Sequence, residues 1–475
     1  MKPMKIGSGL ARWLSTWTLI GGVCLAQDGT LPASFTQALA PLSSVALIEM
    51  PSVEAALALL LADPSPDKSR QFALPLAVGI DPAAAGTWER AGAERVWRLR
   101  IRSGGARSLN FGFEHYKLPA GARLFLYAPD RGSLRGPFTA QDNEVHGQLW
   151  TPIVLGEETV LELNLPAAAA ADVELRLSRV NHGFRDFGAP PALRSGSCNV
   201  DVVCPQGDAW RSEIRSVAVI STGGSTFCTG FLVNNTAQDF KPYFMTARHC
   251  GLSSSNAASL VAYWNYFNST CRPPGSSASG GPGDGSLAQF NTGSFWRAEY
   301  IQSDFELVEL DDPPSQTFNV HWAGWNRSSA DPTSAVAIHH PNTDEKRISF
   351  ENQALTTTSY FGNASPGDGT HLRVADWDLG TTEPGSSGSP LFDPNHRVIG
   401  QLHGGSAACG NDLADWYGRF SRSWTGGATN SSRLSNWLDP IGSGAVTLDG
   451  LSLARVVVGP AAQLVGTGVR TLARN

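Results

Sequence analysis

The chain has 475 residues, a formal net charge of −6, 50 glycines and 30 prolines. This length exceeds that of a usual single domain, so two or more domains are expected. The modest negative charge, without a basic cluster, argues against nucleic acid as a partner. Many short β-branched or aromatic segments, separated by turn residues, favour an all-β architecture.

Residues 1–26 have the pattern of a secretory signal peptide. Three basic residues within the first twelve positions precede an apolar segment from Trp13 to Leu25, and small residues lead to Ala26. The segment is too short and too weakly apolar for a stable membrane span. We therefore expect cleavage after Ala26, a secreted extracellular protein and no membrane partner.

Residues 27–194 differ in texture from the remainder of the chain. Apolar and polar residues alternate in VWRLRIRS from Val96, ARLFLYAP from Ala122, TVLELNLP from Thr159 and DVELRLSRV from Asp172. This period of two, broken by turn residues, predicts a half-buried antiparallel sheet. We interpret the segment as a folded, β-rich prosegment. The alternative is a permanent N-terminal domain with a binding role of its own.

A linker separates this segment from the cysteine-containing region. The stretch FGAPPALRSGSC has two prolines, small residues and Arg194, as expected of an exposed site of proteolysis. Cleavage after Arg194 would start the mature chain at Ser195. Short apolar segments then recur from Ser195 onward, which predicts a second β-rich domain.

Three motifs carry residues suited to acyl transfer. TARHC contains His249, SDFELVEL contains Asp304, and EPGSSGSPLF contains Ser387. A Gly/Ser-rich turn can expose one hydroxyl and aim backbone N–H groups at one point, and a histidine can act as its base. Alone, the loop could be a flexible linker and Asp304 a solvated turn residue. Their joint presence favours a Ser-His-Asp triad.

In this order the motifs resemble the signatures of trypsin-like, chymotrypsin-fold serine proteases. The chain is more closely similar to secreted bacterial lysyl endopeptidases, from about Ser195 to Leu451, through SGSCNVDVVCPQGD, VAYWNYFNSTCR, WAGWNR, IHHPN, EKRIS, GQLHGG and SRLSNWLDP. The resemblance implies two antiparallel six-stranded β-barrels with the catalytic loops in the cleft between them. It also implies a prosegment that assists folding and inhibits the enzyme, and a protease domain over 195–451. Residues 452–475 follow the last matching segment, and we interpret them as a C-terminal tail.

The resemblance gives each motif residue a role. Ser387 is the nucleophile, because it holds the third position of the family's six-residue motif; His249 is the base and Asp304 its orienting acid. The backbone N–H groups of Gly385 and Ser387 would form the oxyanion hole. The rival hydroxyls Ser386 and Ser389 are interpreted as structural, and the rival acids Asp311 and Asp312 lack the family context.

A specificity pocket is also implied. Trypsins have an Asp six residues before the nucleophile, where this chain has Thr381. Asp415 matches the acidic residue of lysyl endopeptidases, whereas we interpret Glu383 as loop framework. His403 and Gly404, in GQLHGG, would line the cleft, with the His403 ring near the pocket. Because Ser386 replaces the Asp that receives a new N terminus in trypsins, activation should not use that ion pair.

Six of the seven cysteines remain after removal of the signal peptide, and they lie between Cys198 and Cys409. An even number in an exported chain implies disulfides, for which 15 connectivities are possible. The resemblance implies the pairs Cys198–Cys409, Cys204–Cys271 and Cys228–Cys250. No CxxC spacing supports a metal site, and we expect neither a metal nor another cofactor.

The sequence thus predicts a secreted serine endopeptidase that cleaves after Lys, and also after Arg, in protein or peptide substrates. Two alternatives are an inactive binding protein on a protease fold and a serine protease with specificity for acidic residues. The intact triad residues argue against the first. The second would need a cationic pocket where the chain has Asp415. We expect a monomer.

Overall fold

The computed structural model of the protein describes residues 30–62, 71–185 and 195–453. The predicted signal peptide, the predicted cleavage after Arg194 and nearly all of the predicted tail lie outside these residues. The all-β prediction is confirmed, because the described part contains thirty strands and only five short α-helices. These helices are α1 (Ala33–Thr36), α2 (Glu54–Ala62), α3 (Arg211–Ile214), α4 (Phe420–Thr425) and α5 (Ser435–Leu438).

The N-terminal unit, residues 30–185, contains two sheets. Its strands are β1 (Leu47–Glu49), β2 (Ala73–Ile80), β3 (Thr87–Ala91), β4 (Glu94–Arg102), β5 (Ser108–Lys117), β6 (Arg123–Tyr127), β7 (Leu134–Phe138), β8 (Leu149–Trp150), β9 (Val154–Leu155), β10 (Glu158–Pro166) and β11 (Glu174–Gly183). The first sheet has the order β1-β4-β10-β6-β7 with β3 on β4, and the second the order β2-β11-β5-β8 with β9 on β5.

Alternation of side chains explains how these sheets pack. Trp97, Leu99 and Ile101 of β4 point into a core that they share with residues of the second sheet. Arg98 and Arg100 point to the other face, where Arg98 pairs with Glu89 and Arg100 with Glu158. The period of two seen in VWRLRIRS is thus expressed as one apolar and one ion-paired face.

The C-terminal unit, residues 195–453, contains the remaining strands. They are β12 (Val200–Asp201), β13 (Val217–Thr222), β14 (Thr226–Leu232), β15 (Tyr243–Ala247), β16 (Val261–Trp264), β17 (Phe290–Thr292), β18 (Ser294–Tyr300), β19 (Phe305–Leu310), β20 (His321–Trp322), β21 (Gly324–Asn326), β22 (Ala335–His339), β23 (Arg347–Glu351), β24 (Thr356–Thr358), β25 (His371–Val374), β26 (Pro390–Phe392), β27 (Arg397–Gly405), β28 (Asp415–Arg419), β29 (Thr447–Leu448) and β30 (Leu451–Ser452).

Most of these strands form two sheets. A seven-stranded sheet has the order β17-β16-β13-β14-β15-β19-β18, and a ten-stranded sheet has the order β12-β23-β22-β26-β27-β28-β25-β24 with β21 and β29 attached. Both have more strands than the six expected of each barrel. The additional members include strands of two or three residues, which are too short to show alternation in the sequence.

The N-terminal unit packs on the seven-stranded sheet. Its core continues into Val219, Phe227 and Tyr263 of the C-terminal unit. Buried Asn110 donates a hydrogen bond of 2.9 Å to the carbonyl of Gly224, at the turn between β13 and β14. In the described part of the chain, no helix has the length and apolar character needed to cross a membrane.

Candidate active site

His249 and Asp304 meet at the same end of two paired strands. In the antiparallel pair β15–β19, Ala247 is the partner of Phe305, so the residues just beyond each of these positions are neighbours. The distance from His249 Nδ1 to Asp304 Oδ2 is 2.6 Å, and the His249 backbone N–H donates to Asp304 Oδ1 at 3.1 Å. The carboxylate thereby fixes both the imidazole and its backbone.

The nucleophile loop is held against β14 of the other sheet. Gly385 has a φ of +97°, and a Cβ there would lie 2.1 Å from the Phe227 ring, so only glycine fits. Thr229 donates from its backbone N–H to the Ser387 carbonyl and from Oγ1 to the Gly385 carbonyl, both at 2.9 Å. Ser387 is half-buried and lines one cleft together with His249.

Alternate amides of this loop differ in their hydrogen bonding. The N–H groups of Ser386 and Gly388 donate to the carbonyls of Glu383 and Leu402, both at 2.9 Å. Among the described residues, the N–H groups of Gly385 and Ser387 have no backbone acceptor. They are the pair predicted for the oxyanion hole, and free donors are what such a site requires.

The two other serines of the loop are buried in supporting positions. Ser386 is fully buried, and its Oγ lies 2.8 Å from Nδ1 of buried His339. Ser389 is also fully buried. Neither lines the cleft, which agrees with their interpretation as structural residues.

Asp415 lies in the wall of the cleft of about 400 Å³ that His249 and Ser387 also line. Its side chain is buried, and Oδ2 accepts hydrogen bonds from Thr382 Oγ1 at 2.6 Å and from Trp377 Nε1 at 2.8 Å. Burial raises the pKa of Asp415 above the ordinary value, against the effect of these two donors. A cationic group beside this carboxylate would favour its charged form.

His403 and Gly404 line the same cleft on β27. The His403 ring is stacked between Tyr360, with ring centres 3.6 Å apart, and His249, with ring centres 5.4 Å apart. Burial lowers the pKa of His403 to about 4, so the ring is neutral at neutral pH. This ring thus forms part of the cleft wall beside the base.

One group among the described residues could hold a metal ion. Potential ligand atoms of His249, Asp304 and His403 lie within 4.8 Å of one another. His249 Nδ1, however, is already hydrogen bonded to Asp304 Oδ2. We assign no ion to this position, because that bond is the one that orients a catalytic base.

The three disulfides join the pairs that the resemblance implied: Cys198–Cys409, Cys204–Cys271 and Cys228–Cys250. Cys250 directly follows His249, and Cys228 lies on β14 beside the nucleophile loop. The third disulfide therefore links the segment that carries His249 to the strand that holds the Ser387 loop.

The rival acids lie elsewhere. Asp311 is hydrogen bonded to His146 of the N-terminal unit at 2.9 Å, and Asp312 follows it.

Glu383 accepts hydrogen bonds from the Gly196 N–H at 3.0 and 3.1 Å, and burial raises its pKa to about 7. Glu383 is half-buried at the edge of the cleft and ties the start of the C-terminal unit to the loop.

Sequence reasoning missed several residues of the site. Tyr360, Trp377 and Thr382 contact His403 or Asp415, but none belongs to a motif. His371 also lies outside the motifs, and its Nε2 lies 2.9 Å from His403 Nδ1. An aromatic residue in a Gly-rich loop carries no signal of its own, whereas His371 could have been found as a polar residue at the start of a strand.

Comparison with known proteins identifies the family. Residues 70–184 match the family model for the lysyl endopeptidase N-terminal domain, and residues 193–418 match that for the lysyl endopeptidase C-terminal domain. Together the two matches cover more than two thirds of the chain. The chain belongs to the lysyl endopeptidase family.

A curated member of this family, the lysyl endopeptidase of Pseudomonas aeruginosa strain PAO1, is 30% identical over 310 residues, which is 60% of this chain and 63% of that protein. The chain thus spans just under two thirds of its relative's length.

Two solved structures are also similar. The active form of the Rv3671c protease from M. tuberculosis has 13% identity and a TM-score of 0.30, over 46% of this chain and 83% of that one. A Glu endopeptidase in complex with MPD has 16% identity and a TM-score of 0.28, over 43% and 85%.

The hydrogen bonds to Asp415 can be tested in this lysyl endopeptidase family member. Thr382→Val removes a donor to the buried carboxylate, which raises its pKa further. We expect kcat/KM for a Lys substrate to fall about 5- to 20-fold, equivalent to about 1–2 kcal/mol, and to fall more at pH 6 than at pH 8. The loss grows as pH falls because the pocket charge is lost as pH falls through the raised pKa.

Thr381→Val is the matched control. Thr381 is the neighbouring buried threonine, and its hydroxyl donates to the Thr382 carbonyl instead of to Asp415. It should leave the pH dependence of kcat/KM unchanged. Equal behaviour of the two variants in steady-state assays would contradict a role of Thr382 in the pocket charge.

Proposed function

We propose that the chain is a secreted serine endopeptidase that hydrolyses peptide bonds on the carboxyl side of Lys, and also of Arg. The observation that carries this proposal is the arrangement around one cleft. His249 is bonded to Asp304, Ser387 lines the same cleft, and buried Asp415 stands in its wall. Membership of the lysyl endopeptidase family supports the same function.

In the proposed reaction, Ser387 Oγ attacks the scissile carbonyl while His249 Nε2 takes its proton. Asp304 holds the proton of His249 on Nδ1 and stabilises the imidazolium that forms. The N–H groups of Gly385 and Ser387 bind the oxyanion. His249 then gives its proton to the leaving amine, and water hydrolyses the acyl-enzyme by the same steps in reverse roles.

Asp415 would select the side chain before the scissile bond. Its charge is buried and has only neutral donors among its hydrogen-bond partners, so a substrate cation completes it. A compact ammonium suits such a pocket as a point charge, whereas a guanidinium needs a wider site. Arg194 at the predicted junction requires cleavage after Arg if the enzyme processes itself. We therefore propose preference for Lys with acceptance of Arg.

We further propose that residues 27–194 act as a prosegment. In the described part, the Phe72 N–H donates to the Ser225 carbonyl at 2.9 Å, next to the start of β14. Thr229, further along this strand, binds the Ser387 carbonyl. The N-terminal unit is thus hydrogen bonded at the start of the strand that holds the Ser387 loop, which suits a folding aid for the site.

The triad is tested by Ser387→Ala and His249→Ala. Each should lower kcat/KM for a Lys peptide by at least about 10³-fold, and the double variant should be little worse, because triad members act as a unit. A fluorophosphonate should label wild-type protein and not Ser387→Ala. Unlabelled but folded wild type would favour the inactive binding protein, and more than a few per cent activity in Ser387→Ala would refute the nucleophile.

Specificity is tested with matched peptides ending in Lys, Arg, Glu or Leu before the scissile bond. We expect Lys to be cleaved fastest, then Arg. Asp415→Asn should weaken transition-state binding of both basic peptides, measured as kcat/KM, by about 3 kcal/mol. The same variant should still be labelled by a fluorophosphonate. Faster cleavage after Glu or Leu, or an unimpaired Asp415→Asn, would show that the pocket is wrongly assigned.

Maturation is tested on secreted protein. Intact mass and N-terminal sequencing of active enzyme should place the new terminus at or near Ser195. The Ser387→Ala precursor should accumulate uncut, because the proposed processing is autocatalytic. Active enzyme that begins at Gln27 would refute removal of the prosegment, and normal processing of Ser387→Ala would assign it to another protease.

A further inference from the structure

A row of hydrogen-bonded side chains lies behind His403. Thr370 Oγ1 is 2.6 Å from Asp368 Oδ1 and 2.7 Å from His371 Nδ1. His371 Nε2 is 2.9 Å from His403 Nδ1, and His403 Nε2 is 3.7 Å from Asp304 Oδ2. The row thus extends from a surface loop to the triad acid.

The direction of each bond is set by the acid at the far end. Burial acts to raise the pKa of Asp368, but hydrogen bonds from Thr370 and Ser359 hold it below its ordinary value, so this carboxylate is charged and only accepts. The single hydroxyl proton of Thr370 therefore goes to Asp368. Thr370 Oγ1 must then accept from His371, which places the proton of His371 on Nδ1.

The two imidazoles continue the row in the same direction. Burial lowers the pKa of His371 to about 4 and that of His403 to about 4, so each ring is neutral and has one N–H at neutral pH. With its proton on Nδ1, His371 can only accept at Nε2. His403 must donate from Nδ1, which leaves its Nε2 without a proton on the side of Asp304.

We propose that His371 is a positioning residue that fixes the proton of His403 on Nδ1 and so keeps Asp304 hydrogen bonded to His249 alone. This inference rests on the proposed triad. The inference adds His371 to the site, although no motif indicated this residue. His371 acts through His403 and does not contact the reacting atoms.

The tautomer matters because of what the other one would do. A proton on His403 Nε2 would be donated to Asp304, whose charge would then be shared between two histidines. A carboxylate that accepts a further hydrogen bond stabilises the His249 imidazolium less, so the base would weaken. An unprotonated Nε2 leaves the full charge for His249.

The charged and titratable groups that face His371 and His403 come from several elements. His249 and Asp304 face His403 from the ends of β15 and β19, and the Tyr360 ring covers its other face. Asp368 is the charged group nearest the far end of the row. The tautomer of His403 is therefore set between two carboxylates, with Asp368 acting through the row and Asp304 facing its Nε2.

The first test is direct observation in the wild-type protein. Long-range proton–nitrogen correlation spectra of ¹⁵N-histidine-labelled enzyme distinguish the two imidazole tautomers, and His403→Gln identifies the His403 signals. We expect protonation of Nδ1 in His403 and in His371 at pH 7–8. Protonation of His403 on Nε2 would overturn the proposal without any variant at position 371.

The second test compares His371→Leu with His371→Gln. Leucine offers no acceptor, so the His403 proton should move to Nε2. We expect kcat for a Lys substrate to fall about tenfold, KM to change less than twofold, and the acid limb of the kcat profile to move to lower pH. Glutamine can accept through its amide oxygen, and it should retain kcat within about threefold and keep the wild-type tautomer.

Two outcomes would contradict the positioning role: equal losses in the Leu and Gln variants, or a rise of KM alone. If His371→Leu does not fold, Thr370→Val takes its place; it removes the acceptor for His371 Nδ1 and should shift the limb in the same direction. Labelling of each variant by a fluorophosphonate separates this inference from the proposed function. Failure of the proposed function would appear as unlabelled, inactive wild type.

Discussion

The site depends on the contact between the nucleophile loop and β14. Ser387 comes from the ten-stranded half of the C-terminal unit, whereas His249 and Asp304 come from the seven-stranded sheet. Their separation is therefore set by how one half packs on the other. Thr229 holds the carbonyls of Ser387 and Gly385, and the absence of a Cβ at Gly385 lets the loop approach Phe227. These contacts hold the two sheets together, so that in the proposed reaction Ser387 is kept in place beside His249 for proton transfer.

A buried network of ion pairs lies within the C-terminal unit. Arg347 is fully buried and pairs with Asp344 and Asp201, and Arg272 pairs with Asp201 and Glu345. Removal of one partner from such a network leaves a buried charge uncompensated and costs about 3–5 kcal/mol. Because Asp344 also accepts from the Ser195 hydroxyl, the network extends to the first described residue of the C-terminal unit.

The sequence predicts the all-β class, which the structure confirms, and the proposed triad, but for different reasons. The proposed triad rests on motifs, each a short run whose residues serve one loop. The apolar alternation of β4 predicted its sheet directly. Thr382 and Trp377 could not be predicted as partners of Asp415, because they are distant in sequence and their role depends on the pairing of β25 with β28 and the loop after it. Contacts between units, such as Asn110 with Gly224, are equally invisible in a single sequence.

Two buried carboxylates near the cleft, those of Asp304 and Asp415, have different hydrogen-bond partners. This difference explains their proposed roles. Asp304 binds both the ring and the backbone of His249, so in the proposed reaction its charge stabilises the imidazolium that His249 becomes. Asp415 accepts from Thr382 and Trp377 at the same oxygen, and both donors are neutral. Neutral donors reduce the cost of burying the charge but do not balance it, which is why burial still raises its pKa.

In the proposed reaction the balancing charge is the substrate's own. Binding of an ammonium beside Asp415 would lower the pKa of the carboxyl, so the complex gains the Coulombic energy that the empty pocket lacks. A Leu side chain would bury the carboxylate without a cationic partner, and a Glu side chain would add a like charge. Binding of either side chain in this pocket is therefore unfavourable. The proposed selectivity for a cation therefore arises because the donors that bind Asp415 are neutral and leave its charge unbalanced. In the same way, the proposed strength of the base arises because His371 holds the His403 proton on Nδ1, away from Asp304.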